Sequence, residues 1–199
     1  MTNGRLFVLS GPSGVGKSTV VQEVMRRHPN LRFSVSVTTR EKRPNEVDGE
    51  NYYFVTREQF QQMLDRGELL EHAEYVGNCY GTPEGPIQQQ LEQGFDILLD
   101  VEPCGAMQVR SNREDAVLIF MAAPSFAEIE RRLRGRGDTP DDKIAGRLER
   151  ARWEYAQASQ YDYIVINDHV QHAANEIQAI MEAEKCRAQL RLDYLKEDN

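Results

Sequence analysis

The sequence has little cysteine. Cys79, Cys104 and Cys186 are odd in number, far apart in 199 residues, and include no C-x-x-C pair. That pattern excludes a disulfide-stapled scaffold and a cysteine-based zinc site, and it fits a reduced, cytoplasmic protein. No apolar run approaches the about 18 residues that a membrane-spanning helix needs. The first residues, MTNGRLFVLSGPSG, lack the cationic segment and long apolar stretch of a secretory signal. No membrane partner is therefore expected. Positive charge is also scarce: 24 Lys and Arg face 32 Asp and Glu, for a net charge of −8. A general nucleic-acid binder needs a broad basic surface, so nucleic acid is not an expected partner. A small anion gripped by a few local arginines is still allowed. The histidines His28, His72, His169 and His172 show metal-ligand spacing only at His169/His172, in a polar stretch, and no metal role is assigned to them.

Repeats and low-complexity linkers are missing as well, and the length suits one domain, with room for an inserted subdomain. What is present alternates. The run LFVLS (6–10) is short and continuously apolar, as in a strand buried on both faces. DILLDV (96–101), AVLIFM (116–121) and YIVIN (163–167) read the same way. A helix is expected from about Lys17, with Val20, Val21, Val24 and Met25 on one side. Ser125 and Glu128 form a capping-box pattern ahead of an apolar stripe of Phe126, Ile129 and Leu133. TPDDK (139–143) offers an N-cap and a first-turn proline, followed by Ile144, Leu148, Ala151 and Tyr155 at helical spacing. A last helix is expected over about 171–195. Strands alternating with helices predict an α/β fold with a parallel sheet flanked by helices. The middle differs: FSVSV (33–37), NYYFV (51–55) and AEYVGNCYGT (73–82) read as half-exposed strands, so about 37–90 is expected to be a small, mostly β insertion.

GPSGVGKS (11–18) satisfies G-x-x-x-x-G-K-[ST], directly after a buried strand and directly before a helix. Gly11, Gly14 and Gly16 allow successive backbone N–H groups to face an anion, with Pro12, Ser13 and Val15 between them. The helix N-terminus adds partial positive charge. Lys17 can reach β- and γ-phosphates, and Ser18 can offer a hydroxyl to Mg²⁺. This pattern predicts a nucleoside triphosphate site. Asp100, ending an apolar strand, is placed for Mg²⁺ or its waters; capping the next helix is the alternative. Seven arginines crowd residues 131–152: Arg131, Arg132, Arg134, Arg136, Arg147, Arg150 and Arg152. Some can pair with neighbouring acids on solvated faces, and some can swing onto phosphates from a helical lid. The guanine-binding N-K-x-D of GTPases is absent; VIND (165–168) lacks the lysine. A separate cluster, TTREKRPNEVDGENYY (38–53), sets arginines and tyrosines among acids. A phosphate loop with a second anion site points to a small-molecule kinase.

Taken in order, LSGPSGVGKST, SVSVTTREKRPNEVDGENYYFV, LLEHAEYVGNCYGTP, ILLDVEPCG, RRLRGRG and YIVIND resemble the guanylate kinases of the nucleoside monophosphate kinase group, over nearly the whole chain. The resemblance implies ATP and GMP (or dGMP) as substrates and Mg²⁺ as cofactor, in a cytoplasmic monomer or homodimer. It implies a core of about 1–36, 91–130 and 151–199, a GMP-binding subdomain of about 37–90 and a lid of about 131–150. It assigns the GMP phosphate to Arg40, Arg43, Tyr52 and Tyr80, with Glu46 steadying the arginines, and the base to Ser36, Glu71, Thr82 and Asp100. It selects Arg132, Arg136 and Arg147, beside Lys17 and Arg43, for catalysis, and sets Asn167 near the adenine. The sequence departs from the family pattern at Cys79, where an aromatic is usual, at Thr82 in place of serine, and at Pro103-Cys104. The bland reading is a non-catalytic guanylate-kinase-like binding module, against which the intact Gly16-Lys17-Ser18 argues.

Overall fold

A computed structural model of the protein describes residues 3–135 and 141–195. Its centre is a five-stranded sheet in the order β2-β7-β1-β8-β9, formed by Leu31–Phe33, Asp96–Asp100, Leu6–Ser10, Val117–Ala122 and Tyr163–Ile166. Every pairing in it is parallel. The reason for the uninterrupted apolar runs is visible in β1. Phe7 and Leu9 face one core, shared with helices α1 (Lys17–Arg27), α5 (Phe126–Gly135), α6 (Asp141–Ala156) and α7 (Val170–Lys185). Leu6 and Val8 face the other, shared with α3 (Glu84–Glu92) and α4 (Pro103–Asn112). A strand sandwiched this way has no polar face to alternate with.

β1 and β8 feed chain to opposite sides of the sheet, β1 toward β2 and β8 toward β9. Their carboxyl ends therefore bound the crevice where open α/β sheets bind ligands. The loop after β1 lies directly on the end of β8: a Cβ on Gly11 (φ 143) would stand 2.2 Å from the Met121 carbonyl oxygen. Only glycine permits that approach.

A second sheet, β4-β3-β6-β5, stands on the first. It comprises β3 (Val37–Thr38), β4 (Tyr53–Phe54), and the antiparallel pair β5 (Leu69–Tyr75) and β6 (Asn78–Pro83). α2 (Arg57–Asp65) covers it, burying Phe60 against Val37 and Leu69.

Four sequence expectations change. FSVSV is not one strand: Phe33 pairs with Leu98 in the first sheet and Val37 with Gly81 in the second, so residues 34–36 carry the chain between sheets. The insertion also holds α2, announced by a capping box at Thr56 and Gln59 that the strand-like neighbours obscure. The expected helix over 171–195 stops at Lys185. Lys185 there pairs with Asp96 at 2.6 Å, and Arg187, with extended ψ, folds back to Glu184 at 2.6 Å. The Lys185 pair holds the chain down on the first sheet, and a short α8 (Ala188–Arg191) and a 3-10 turn (Leu192–Leu195) follow. At Ser125 the hydroxyl accepts the Glu128 N–H as expected, but the Glu128 carboxylate is taken by arginines. The Thr139-Pro140 start expected for α6 lies outside the described residues.

Leu118 is fully buried in the interior strand β8, between β1 and β9. Leu118→Ala is expected to lower stability by about 3 kcal/mol, read as a fall in the urea midpoint without a change in slope.

Candidate active site

The loop from Gly11 to Gly16 winds into α1 with Gly16 as N-cap, in the left-handed region at φ 90. No side chain caps this helix, so its first-turn N–H groups are free to meet an anion. The loop is held from outside by one carbonyl. Val15 C=O accepts the Asn167 Nδ2 at 2.7 Å and the Arg132 Nη1 at 2.9 Å. Arg132 also donates to the Asn167 carbonyl at 2.9 Å, and its Nε donates to Glu128 at 2.6 Å. A Cβ on Gly16 would stand 2.6 Å from Asn167 Nδ2. Residue 16 must therefore be glycine for two reasons, conformation and clearance.

Lys17 turns its ammonium back onto the Gly11 carbonyl. Two carboxylates feel its charge. Asp100, at the end of β7 and level with Leu9 of β1, has its pKa raised by burial, an effect Lys17 opposes. Glu154 on α6 is only 5% exposed; burial raises its pKa too, opposed first by the hydrogen bond from Arg150. Arg150 Nε lies 3.1 Å from Glu154, and its Nη2 lies 2.8 Å from Glu102 beyond Asp100. Sequence reasoning missed Glu154. It sits three residues after Ala151 on the apolar stripe of α6, and an acid at a buried helical position is a signal of its own.

The second sheet and the loop leading into it carry two polar clusters of their own. Arg40 meets Glu46 through both terminal nitrogens, at 2.7 and 3.0 Å. Glu46 also accepts the Arg43 backbone N–H at 2.9 Å. The Arg40 guanidinium lies 5.4 Å from the centre of the Tyr52 ring, and Tyr52 meets Tyr80 edge-on at 6.1 Å. Glu46 first, and Tyr80 to a lesser degree, raise the pKa of Arg40. The Arg43 side chain is exposed. Deeper in, Thr82 (0% exposed) donates to Glu71 Oε1 at 2.6 Å across the β5–β6 pair. Burial raises the pKa of Glu71, and the Thr82 hydroxyl opposes the shift.

The sequence profile of the guanylate kinase family matches residues 3–184. A guanylate kinase from Synechococcus sp. (strain JA-3-3Ab) is 50% identical over 180 residues, which cover 90% of this chain and 83% of that one. One from Desulfitobacterium hafniense (strain Y51) is 45% identical over 185 residues, 93% of this chain and 92% of its own. The crystal structure of guanylate kinase from Anaplasma phagocytophilum superposes with a TM-score of 0.73 at 32% identity, covering all of this chain and 98% of that one.

The chain belongs to the guanylate kinase family.

As a guanylate kinase, it gathers the residues singled out in the sequence into three sets. Gly11 to Ser18 form the loop, with Arg132 and Asn167 bonded to its back. Arg40, Glu46, Tyr52 and Tyr80 form one cluster, and Glu71 and Thr82 another. Ser36, on the crossing between sheets, accepts the Tyr53 N–H through its carbonyl. Arg147 is exposed on α6, and Arg136 lies outside the described residues. Pro103 takes the first position of α4 after the N-cap Glu102, so the departure at Pro103-Cys104 leaves a well-formed helix start. Cys79 serves the α2 side, packed partly buried against Val37, Phe60 and Leu69. No group of three or more His, Cys, Asp or Glu suited to a metal exists among the described residues, and no helix there is long and apolar enough to cross a membrane.

Glu128 holds Arg131 and Arg132, and those hydrogen bonds, Arg131's first, pull its pKa down to about 2 from the ordinary 4.5. A depressed acid stabilises the fold above its ordinary pKa and loses that contribution as pH falls toward the depressed value. The stability difference between the wild type and Glu128→Gln is therefore expected to be constant near neutrality and to shrink below about pH 4.5. Urea denaturation at a series of pH values from about 6 to about 3 checks this.

Proposed function

We propose that this chain phosphorylates GMP, and also dGMP, at the expense of ATP in the cytoplasm. One observation carries the reading: a chain of this family has an intact phosphate loop and, apart from it, two polar clusters, Arg40 with Glu46, Tyr52 and Tyr80, and Glu71 with Thr82. The loop and α1 would take the ATP phosphates, with Asn167 on the adenine side. Arg40, Arg43, Tyr52 and Tyr80 would take the GMP phosphate, with Glu46 holding the arginine backbone and side chain in register. A guanidinium fork suits a phosphate bidentately.

Glu71, Thr82, Ser36 and Asp100 would read the base. Guanine presents N1–H and N2–H donors along one edge, and an ionised Glu71 accepts both. Adenine has no hydrogen at N1, so a buried carboxylate would be left unpaired. Sites of this kind discriminate by about 10⁴–10⁵-fold.

The nucleophile is a phosphate oxygen of GMP, already anionic, so the reaction needs no general base. That oxygen attacks the γ-phosphorus of ATP as the bond to the β–γ bridging oxygen breaks, giving GDP and ADP. The protein's task is to hold two polyanions in line and to offset their repulsion. Lys17 leaves the Gly11 carbonyl for the phosphates. Arg132, Arg136 and Arg147 would gather the transferring group as residues of about 131–150 close as a lid over the core. The second sheet, within about 37–90, would close as the GMP-binding subdomain and exclude water. The donor set fits Mg²⁺: the Ser18 hydroxyl and the Asp100 carboxylate are both hard oxygen ligands, too few to hold the ion without phosphate and water. Bound there, Mg²⁺ would neutralise charge on the β- and γ-phosphates.

A coupled assay is expected to give ADP from ATP only when GMP is present; failure to do so would sink the assignment. Lys17→Ala is expected to lower kcat by about 10³-fold while calorimetry still detects GMP binding. Glu71→Gln is expected to raise KM for GMP about 10- to 100-fold and to leave KM for ATP unmoved. Equal losses for both nucleotides would remove Glu71 from the base site.

A further inference from the structure

We infer that α4 sets the base selectivity of this enzyme through Gln108 and Gly105, which act as positioning residues for Glu71. The inference rests on the reading of Glu71 as the guanine ligand. β5 breaks register between Leu69 and Glu71: Leu69 pairs with Pro83 and Glu71 with Thr82, leaving Leu70 without a partner across the pair. Such a bulge re-aims the side chains that follow it, at the cost of local ladder bonds. Leu69 accordingly joins the core under α2, while Leu70 joins the core under the first sheet.

α4 supplies the support that the bulge removes. Asn112 Nδ2 donates to the Leu70 carbonyl at 2.9 Å. Gln108 acts as a substitute peptide for His72, accepting its N–H and donating to its C=O, both at 3.0 Å. The residues immediately before and after Glu71 are thus bonded to one helix, and Glu71 is held between them. The carboxylate itself reaches α4 at Gly105, where a Cβ would lie 2.8 Å from Glu71 Oε2. Thr82 fixes the other oxygen. The two oxygens are therefore set by β6 on one side and by the bare backbone of α4 on the other. A carboxylate that must meet two donors of a base edge together needs this kind of fixed orientation. α4 begins just after Asp100 and Val101, so the same rigid element also continues the strand that presents Asp100 beside the phosphate loop.

The test compares Gln108→Leu, Gln108→Glu, Gly105→Ala and Glu71→Gln in steady-state kinetics with GMP, AMP and ATP. Gln108→Leu removes both His72 bonds and is expected to raise KM for GMP about tenfold, with KM for ATP within about twofold of wild type and a reduced preference for GMP over AMP. Gln108→Glu keeps the acceptor for the His72 N–H and is expected to recover part of the loss. Gly105→Ala leaves His72 bonded and pushes a methyl at the flexible end of Glu71. It is expected to reproduce the selective GMP defect with little change in melting temperature, and it decides the matter alone if Gln108→Leu fails to fold. If Glu71→Gln raises KM for GMP while Gly105→Ala and Gln108→Leu do not, the positioning role is overturned and the base site stands. A rise in KM for both nucleotides together in the α4 variants overturns it as well. If Glu71→Gln changes nothing, the base assignment itself falls, and the role of α4 falls with it.

Discussion

Everything on the ATP side depends on how closely the loop after β1 can lie against the end of β8. The Gly11 backbone meets the Met121 carbonyl at a distance that leaves no room for a side chain. With the loop pressed there, α1 starts at the crevice between strands that diverge to opposite sides of the sheet. The Val15 carbonyl is then within reach of both Asn167 and Arg132. Those two donors engage the one acceptor whose rotation would spoil the nest of amides. The site is rigid because a strand buried on both faces cannot slide, and its outgoing loop inherits that fixity.

An acidic chain that handles two polyanions has to organise its charge locally. It does so by pairing. Arg40 is held by Glu46, Arg132 by Glu128, and Arg150 by Glu154 and Glu102. Each pairing orients a guanidinium that would otherwise sample many rotamers. The buried acids have the opposite character. Burial raises the pKa of Glu71 and Asp100, opposed at Glu71 by the Thr82 hydroxyl and the nearby His72 and at Asp100 by the Lys17 charge.

How much of this was legible in the sequence follows from range. The phosphate loop was fully legible, because its chemistry needs consecutive residues between one strand and one helix. The buried strands were legible from their apolar runs. The roles given to Arg40, Arg43, Glu71 and Thr82 came from family resemblance; nothing in local periodicity separates them from a charged surface loop. The split of FSVSV escaped because alternation continues across residues 34–36 while the hydrogen-bonding partner changes from Leu98 to Gly81. Glu154 was hidden among arginines that suggested a solvated face. Gln108 and Asn112 were not legible at all: a Gln and an Asn on a helix say nothing until a bulged strand is laid beside them, about forty residues distant in sequence.

The two adjacent leucines at the start of β5 have a consequence for how the molecule comes apart. Leu69 and Leu70 are neighbours in the chain, yet one is anchored in the small core beneath α2 and the other in the large core beneath the parallel sheet. Peeling the small sheet away pulls on a residue embedded in the large one, at the point where α4 grips the backbone. The small sheet is therefore tied to the principal core along one stitched edge. Melting it separately would mean drawing a buried side chain out of the principal core, so in unfolding the two layers behave as one cooperative unit.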